Sequence, residues 1–92
     1  MKVYIIGDKN NSEEFTQAEQ LLELKGYAPV NPVNVLQVLP EEITNADFTI
    51  IAFEFIKICD AVYLIDGWDK DLFARMEYAQ ADREGKEIWT DN

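Results

Sequence analysis

The sequence predicts a small α/β domain, with about four parallel strands and helices on both faces of the sheet. Three observations carry this. Short apolar runs rich in β-formers recur at residues 2–6, 61–65 and 86–90. Between them lie stretches with apolar residues at helical spacing, closed by Gly26 and Gly85. The resulting order, strand–helix–strand–loop–helix–strand–helix–strand, gives a parallel sheet when the crossovers take their usual right-handed path.

Lys2-Val3-Tyr4-Ile5-Ile6-Gly7 forms the first strand, and Gly7 opens the loop at its carboxyl end. Asn11 or Ser12 caps the next helix, and Asn11 with Glu14 resembles a capping box. Glu13 and Glu14 complement the helix dipole, while Phe15, Ala18, Leu21 and Leu22 form an apolar face. Tyr27-Ala28-Pro29-Val30 is a second strand, which Pro29 confines to an edge. Residues 33–40 show no period and are expected to be loop with room for a short turn, and Pro40-Glu41-Glu42 can start a helical turn.

Thr44 or Asn45 caps a second long helix running to Ile58. Phe48, Ile51, Phe55 and Ile58 keep helical spacing, and Ile50, Ala52, Phe53 and Ile56 fill much of the remaining surface. A helix apolar nearly all round is buried on more than one side, so a homodimer through residues 48–58 is expected. Cys59 reads as a small buried apolar residue. After the strand at residues 61–65, Asp66-Gly67-Trp68-Asp69-Lys70-Asp71 carries turn chemistry. Leu72, Met76 and Ala79 are expected to make the inner stripe of the last helix, and Asp91-Asn92 a tail.

Ninety-two residues with 48% apolar content suit one domain with a core of its own. The apolar runs are shorter than the roughly 20 residues of a spanning helix, and Glu54, Lys57 and Asp60 interrupt them. The beginning of the chain does not read as a signal peptide, and a cytoplasmic protein is expected. A lone cysteine and no histidine exclude an intrachain disulfide and a Cys/His zinc site, and neither metal nor cofactor is expected. Eighteen acidic against 8 basic residues, a net charge of −10, speak against nucleic acid and anionic membranes as partners. Such acidity is commonly a solubility device; mimicry of nucleic acid is the sharper alternative, with no spacing that favours it.

In open α/β sheets ligands bind beyond the carboxyl ends of the strands. Asp66, Asp69, Asp71 and Glu77 fall there. Asp71 at a helix N-cap and Glu77 six residues on can look into one crevice. Two carboxylates in different surroundings suit glycosyl transfer, one meeting positive charge at the sugar carbon and one handling protons. The alternative is that Asp71 only caps and Glu77 lies on a solvated helix face. Tyr4 either packs within its strand or orients a carboxylate from the helix layer. Trp68 either stacks on a base or lids the core. The loop after Gly7 has no Gly-rich phosphate pattern, and Asp8 would repel phosphate.

The segments K-V-Y-I-I-G, K-G-Y, V-N-P, C-D-A-V-Y-L-I-D-G-W, A-R-x-E-x-A and G-K-E-I occur in that order along nearly the whole chain. Together they resemble the nucleoside 2-deoxyribosyltransferase-like superfamily, and within it a short domain family of uncharacterised function frequent in phage and bacterial genomes. The resemblance implies a Rossmann-like (flavodoxin-like) three-layer fold, a dimer or larger oligomer, and cleavage or exchange of the N-glycosidic bond of 2′-deoxynucleosides or their monophosphates. It implies Glu77 as nucleophile, Asp71 as the acidic residue that assists at the base, and Tyr4 as the phenol that positions the nucleophile. Gly7, Asp66, Gly67, Trp68 and Phe73 are the implied substrate-binding positions. The short family usually has Gly-Pro where this chain has Gly7-Asp8, Ser at Asp71, a small residue at Phe73 and Asp at Ala52. Serine suits a 5′-phosphate, so Asp71 implies an unphosphorylated deoxynucleoside. Ala52 removes one catalytic partner, and Phe73 narrows the sugar pocket.

Three functions follow from these residues: a deoxyribosyltransferase or hydrolase acting through Glu77, a nucleoside- or nucleotide-binding module without turnover, and a small acidic phage-type interaction protein. Convergence of Tyr4, Asp71 and Glu77 on an open cleft favours the first; a pocket plugged by Phe73 or Trp68 favours the third.

Overall fold

The computed structural model describes residues 1–90, so the expected tail at Asp91-Asn92 lies outside the described residues. In chain order the elements are β1 (Lys2–Ile6), α1 (Ser12–Leu24), β2 (Ala28–Val30), α2 (Pro32–Leu36), α3 (Asn45–Ile58), β3 (Ala61–Leu64), a 3-10 turn (Trp68–Lys70), α4 (Leu72–Arg83) and β4 (Glu87–Thr90). The four strands form one sheet in the order β2-β1-β3-β4, with every pairing parallel. Pro29 does lie on an edge strand, where the backbone N–H it lacks is least missed.

Alternation along the strands sorts the core into two layers. Val3 and Ile5 of β1, with Ala61 and Tyr63 of β3, pack against Phe15, Ala18 and Leu22 of α1. Tyr4 and Ile6, with Val62 and Leu64, pack against Phe48, Ala52 and Ile56 of α3 and Ala74 and Ala81 of α4. This is the three-layer Rossmann-like α/β architecture, with helices on both faces of the sheet. The first crossover leads from β1 to β2 on one side, and β3 pairs with β1 on the other. The chain therefore reverses direction across the sheet between β1 and β3, and the loops leaving these two strands bound the crevice.

Local chemistry fixes the helix ends. The Thr44 side chain accepts the Asp47 backbone N–H at 3.1 Å, and Asp47 Oδ2 accepts that of Thr44 at 3.0 Å, a complete capping box on α3. Asp71 Oδ2 accepts the Ala74 N–H at 2.9 Å and caps α4. The box expected from Asn11 and Glu14 is not formed: Asn11 is the N-cap of α1 but its side chain makes no capping bond. Asp8 organises that loop instead, accepting the Asn10 N–H through Oδ1 at 3.0 Å and the Asn11 N–H through its carbonyl at 2.9 Å.

Two other expectations are corrected. Residues 33–40 are not all loop, because α2 occupies Pro32–Leu36. Asn31 Oδ1 accepts the Val33 N–H at 3.0 Å, and Pro32 starts the turn at the position where its missing donor costs least. The inner stripe of α4 is Ala74, Glu77 and Ala81, not Leu72, Met76 and Ala79. Leu72 is 57% exposed and Met76 40%, whereas Glu77 is fully buried. Two alanines bring the helix close to the sheet, and the carboxylate between them is buried because partners meet it there.

On α3 the buried side chains are Phe48, Thr49, Ala52 and Ile56. Ile51, Phe53 and Phe55 are half-buried against the same core, while Ile50 and Ile58 stand in solvent. No helix is long and apolar enough to cross a membrane among the described residues.

Candidate active site

The site starts from Glu77. Its place on the inward stripe of α4 points the carboxylate at the sheet, and the inward-facing Tyr4 of β1 lies opposite. Tyr4 Oη donates to Glu77 Oε2 at 3.2 Å in the interior. Lys9, from the loop between β1 and α1, reaches over and donates from Nζ to the same oxygen at 2.8 Å. Its ammonium also lies 5.6 Å from the centroid of the Phe48 ring, within cation–π range. Glu77 Oε1 is buried and has no hydrogen-bond partner among the described residues.

Electrostatics follow from this arrangement. Burial pushes the Glu77 carboxyl up from its ordinary value; the Lys9 charge, the hydrogen bonds from Lys9 and Tyr4 oppose that, and the Asp71 charge adds to it. Burial, then the Glu77 charge and hydrogen bond, with a small contribution from Cys59, hold the Tyr4 phenol well above its ordinary value. Tyr4 is therefore a neutral donor at any physiological pH. The alternative of a Glu77 on a solvated face does not describe this residue.

Beside this cluster a cleft of about 130 Å³ is lined by Asp8, Lys9, Asn10, Leu36, Asn45, Phe48, Asp71 and Phe73. Lys9 and Phe48 belong both to the cleft and to the surroundings of Glu77. Asp71 thus caps α4 and faces the cleft, and Phe73 forms part of the wall. Asp71 and Glu77 share no hydrogen bond, although the Asp71 charge acts on Glu77.

The remaining candidates lie elsewhere. Gly7 is a packing position: a Cβ there would stand 3.1 Å from Ile65 Cβ and 3.3 Å from Phe15 Cζ. Asp66 lines a separate groove with Glu14, Gln17 and Tyr63 on the α1 side of the sheet. Gly67 supplies the left-handed turn, φ 86°, that leads out of β3. Trp68 does not enter the cleft; its ring packs on Tyr78, 4.7 Å between centroids, and covers the core. Ala52 is fully buried in the α3 layer.

Sequence reasoning does not single out Lys9, Asn10, Asn45 or Phe48 as site residues; Asn45 reads there as a helix cap and Phe48 as part of an apolar face. One signal was present for Lys9: it is a lone cation on the loop leaving a central strand, where the crevice opens. Among the described residues, no group of three or more His, Cys, Asp or Glu side chains is placed to hold a metal ion.

A compact α/β domain with a buried carboxylate beside a cleft at its strand ends is thus defined, and the chain belongs to the family described as Domain of unknown function (DUF4406), whose model matches residues 1–90. No curated protein matches it. Among solved structures the chain is similar to the Clostridium botulinum CMP N-glycosidase BcmB, with a TM-score of 0.69 and 19% identity, covering 98% of this chain and 67% of that one. The likeness establishes that the two share a fold.

Proposed function

We propose that the protein is a nucleoside 2-deoxyribosyltransferase-like enzyme that cleaves or exchanges the N-glycosidic bond of 2′-deoxynucleosides through Glu77. The observation that carries this reading is the hydrogen bond from Tyr4 to the fully buried Glu77 carboxylate. A phenol and a carboxylate meeting in the interior, next to a cleft, suit a nucleophile held in one orientation. The fold shared with a CMP N-glycosidase supports the same class of bond.

In this mechanism a Glu77 carboxylate oxygen attacks the sugar C1′. The C1′–N bond breaks, its electron pair goes to the base nitrogen, and a proton is supplied there by an acid at the cleft, which in this reading is Asp71. Water or a second base then attacks C1′ of the glycosyl ester and returns the carboxylate. Glu77 does not itself line the cleft, so the wall between them has to yield for the sugar to reach it.

Charge selects among substrates. Asp8 and Asp71 line the cleft, and Lys9, the cation that lines it among the described residues, is already paired with Glu77. No charge is left for a phosphate, which favours an unphosphorylated nucleoside. The test is to incubate the protein with 2′-deoxynucleosides and their monophosphates, with and without free adenine or cytosine, and to resolve the products by chromatography. Release or exchange of base from the nucleosides is expected; silence across the panel at high protein concentration overturns the proposal.

A second reading is favoured by the burial of Glu77 beneath Lys9. In it the cleft binds a nucleoside without turnover, and the same panel gives saturable binding without product.

A further inference from the structure

We propose that Lys9 is a positioning residue: its ammonium is the counter-ion that keeps Glu77 charged inside the core and ties down Oε2, leaving Oε1 as the oxygen free to react. The part concerning Oε1 rests on the glycosidic reading above; the part concerning charge does not.

The geometry divides the two carboxylate oxygens. Oε2 receives both available donors, Lys9 Nζ at 2.8 Å and Tyr4 Oη at 3.2 Å. Oε1 is equally buried and receives none among the described residues. A buried carboxylate oxygen without a protein donor is unfavourable, so Oε1 calls for a partner from outside the chain, a water or a ligand atom. The oxygen with both partners is the poorer nucleophile, because its lone pairs are committed.

Each element around Glu77 contributes differently to its charge. From β1 comes Tyr4, a neutral donor. From the β1–α1 loop comes Lys9, whose side chain is 13% exposed and so loses little of its field to solvent. At the start of α4, Asp71 acts in the opposite sense. α3 turns Phe48, Ala52 and Ile56 inward and keeps Asp47, Glu54 and Lys57 exposed. β3 brings only apolar side chains to this face. Lys9 is thus the cation hydrogen-bonded to Glu77, and without it burial would favour the protonated acid.

The experiment is a carboxyl carbon titration, by NMR, of glutamate-labelled protein without substrate: wild type, Lys9→Met and Lys9→Arg. Lys9→Met is expected to move the Glu77 midpoint upward by at least about one pH unit. Lys9→Arg is expected to bring it most of the way back. An unchanged midpoint in folded Lys9→Met overturns the proposal. Should Lys9→Met fail to fold, wild type and Glu77→Gln decide: the pair predicts a slowly exchanging Lys9 ammonium signal that is lost in Glu77→Gln, and a Lys9 signal indifferent to that change overturns it. Because no substrate is used, an inactive protein still tests the pair. A shifted titration combined with no glycosidic activity leaves the counter-ion standing and refutes the enzymatic reading alone.

Discussion

Tyr4 and Glu77, 73 residues apart in the chain, meet at 3.2 Å across the core. The two come from different elements, β1 and α4, and only the parallel β1–β3 pairing with α4 laid over it brings them together. Their hydrogen bond makes the helix layer, the sheet and the candidate site one unit.

Replacing Tyr4 by Phe is expected to cost about 1–3 kcal/mol at neutral pH, since Oε2 loses a donor to a charged acceptor. Its effect on alkaline stability runs the other way. A phenol whose folded value is raised contributes stability that is present below its ordinary value of 10.0 and lost as pH rises above it. Denaturant unfolding of both proteins across that range should show the gap between wild type and Tyr4→Phe shrinking with pH.

Glu77 gives a second linkage at acid pH. Its folded value is raised above 4.5, so the stability it contributes is complete below that pH and is lost as pH rises through the folded midpoint. The melting temperature of wild type relative to Glu77→Gln should therefore fall from acid to neutral pH. A difference that grows with pH would mean that the folded carboxyl is instead held below its ordinary value.

At Gly7 the requirement is space. A valine would press into Ile65 and Phe15, where a Cβ alone already comes within 3.1 Å of Ile65 Cβ. Overpacking of this kind costs about 1–3 kcal/mol, and Gly7→Val is expected to lower the midpoint of urea unfolding accordingly. A substrate-binding role for Gly7 without a packing role would leave that midpoint unchanged.

The homodimer through the helix over residues 48–58 remains a proposal with its own check. Of the large apolar side chains on α3, Ile50 and Ile58 are the exposed ones. Sedimentation at micromolar concentration should give a dimer that Ile50→Glu dissociates; a wild-type monomer would contradict it.

Strands and long helices were legible because their periods differ and because Gly26, Gly85 and Pro29 punctuate them. Helix α2 was not, because Pro32–Leu36 is too short to show a period. The inner stripe of α4 is not legible for a physical reason: bulk does not mark burial there, since Ala74 and Ala81 allow close approach and Glu77 is buried by virtue of its partners. For Tyr4 the residues alone leave packing and the orienting of a carboxylate side by side, and it is the family resemblance that points to the second. Lys9 is not legible because its loop carries no phosphate motif and a single lysine makes no pattern.

The most direct test of Glu77 as the nucleophile is base release from 2′-deoxynucleosides by wild type and by Glu77→Gln, with folding of both verified. We expect wild type to release or exchange base and Glu77→Gln to lose at least about a hundredfold of the rate. Equal rates from the two proteins would contradict a nucleophilic Glu77.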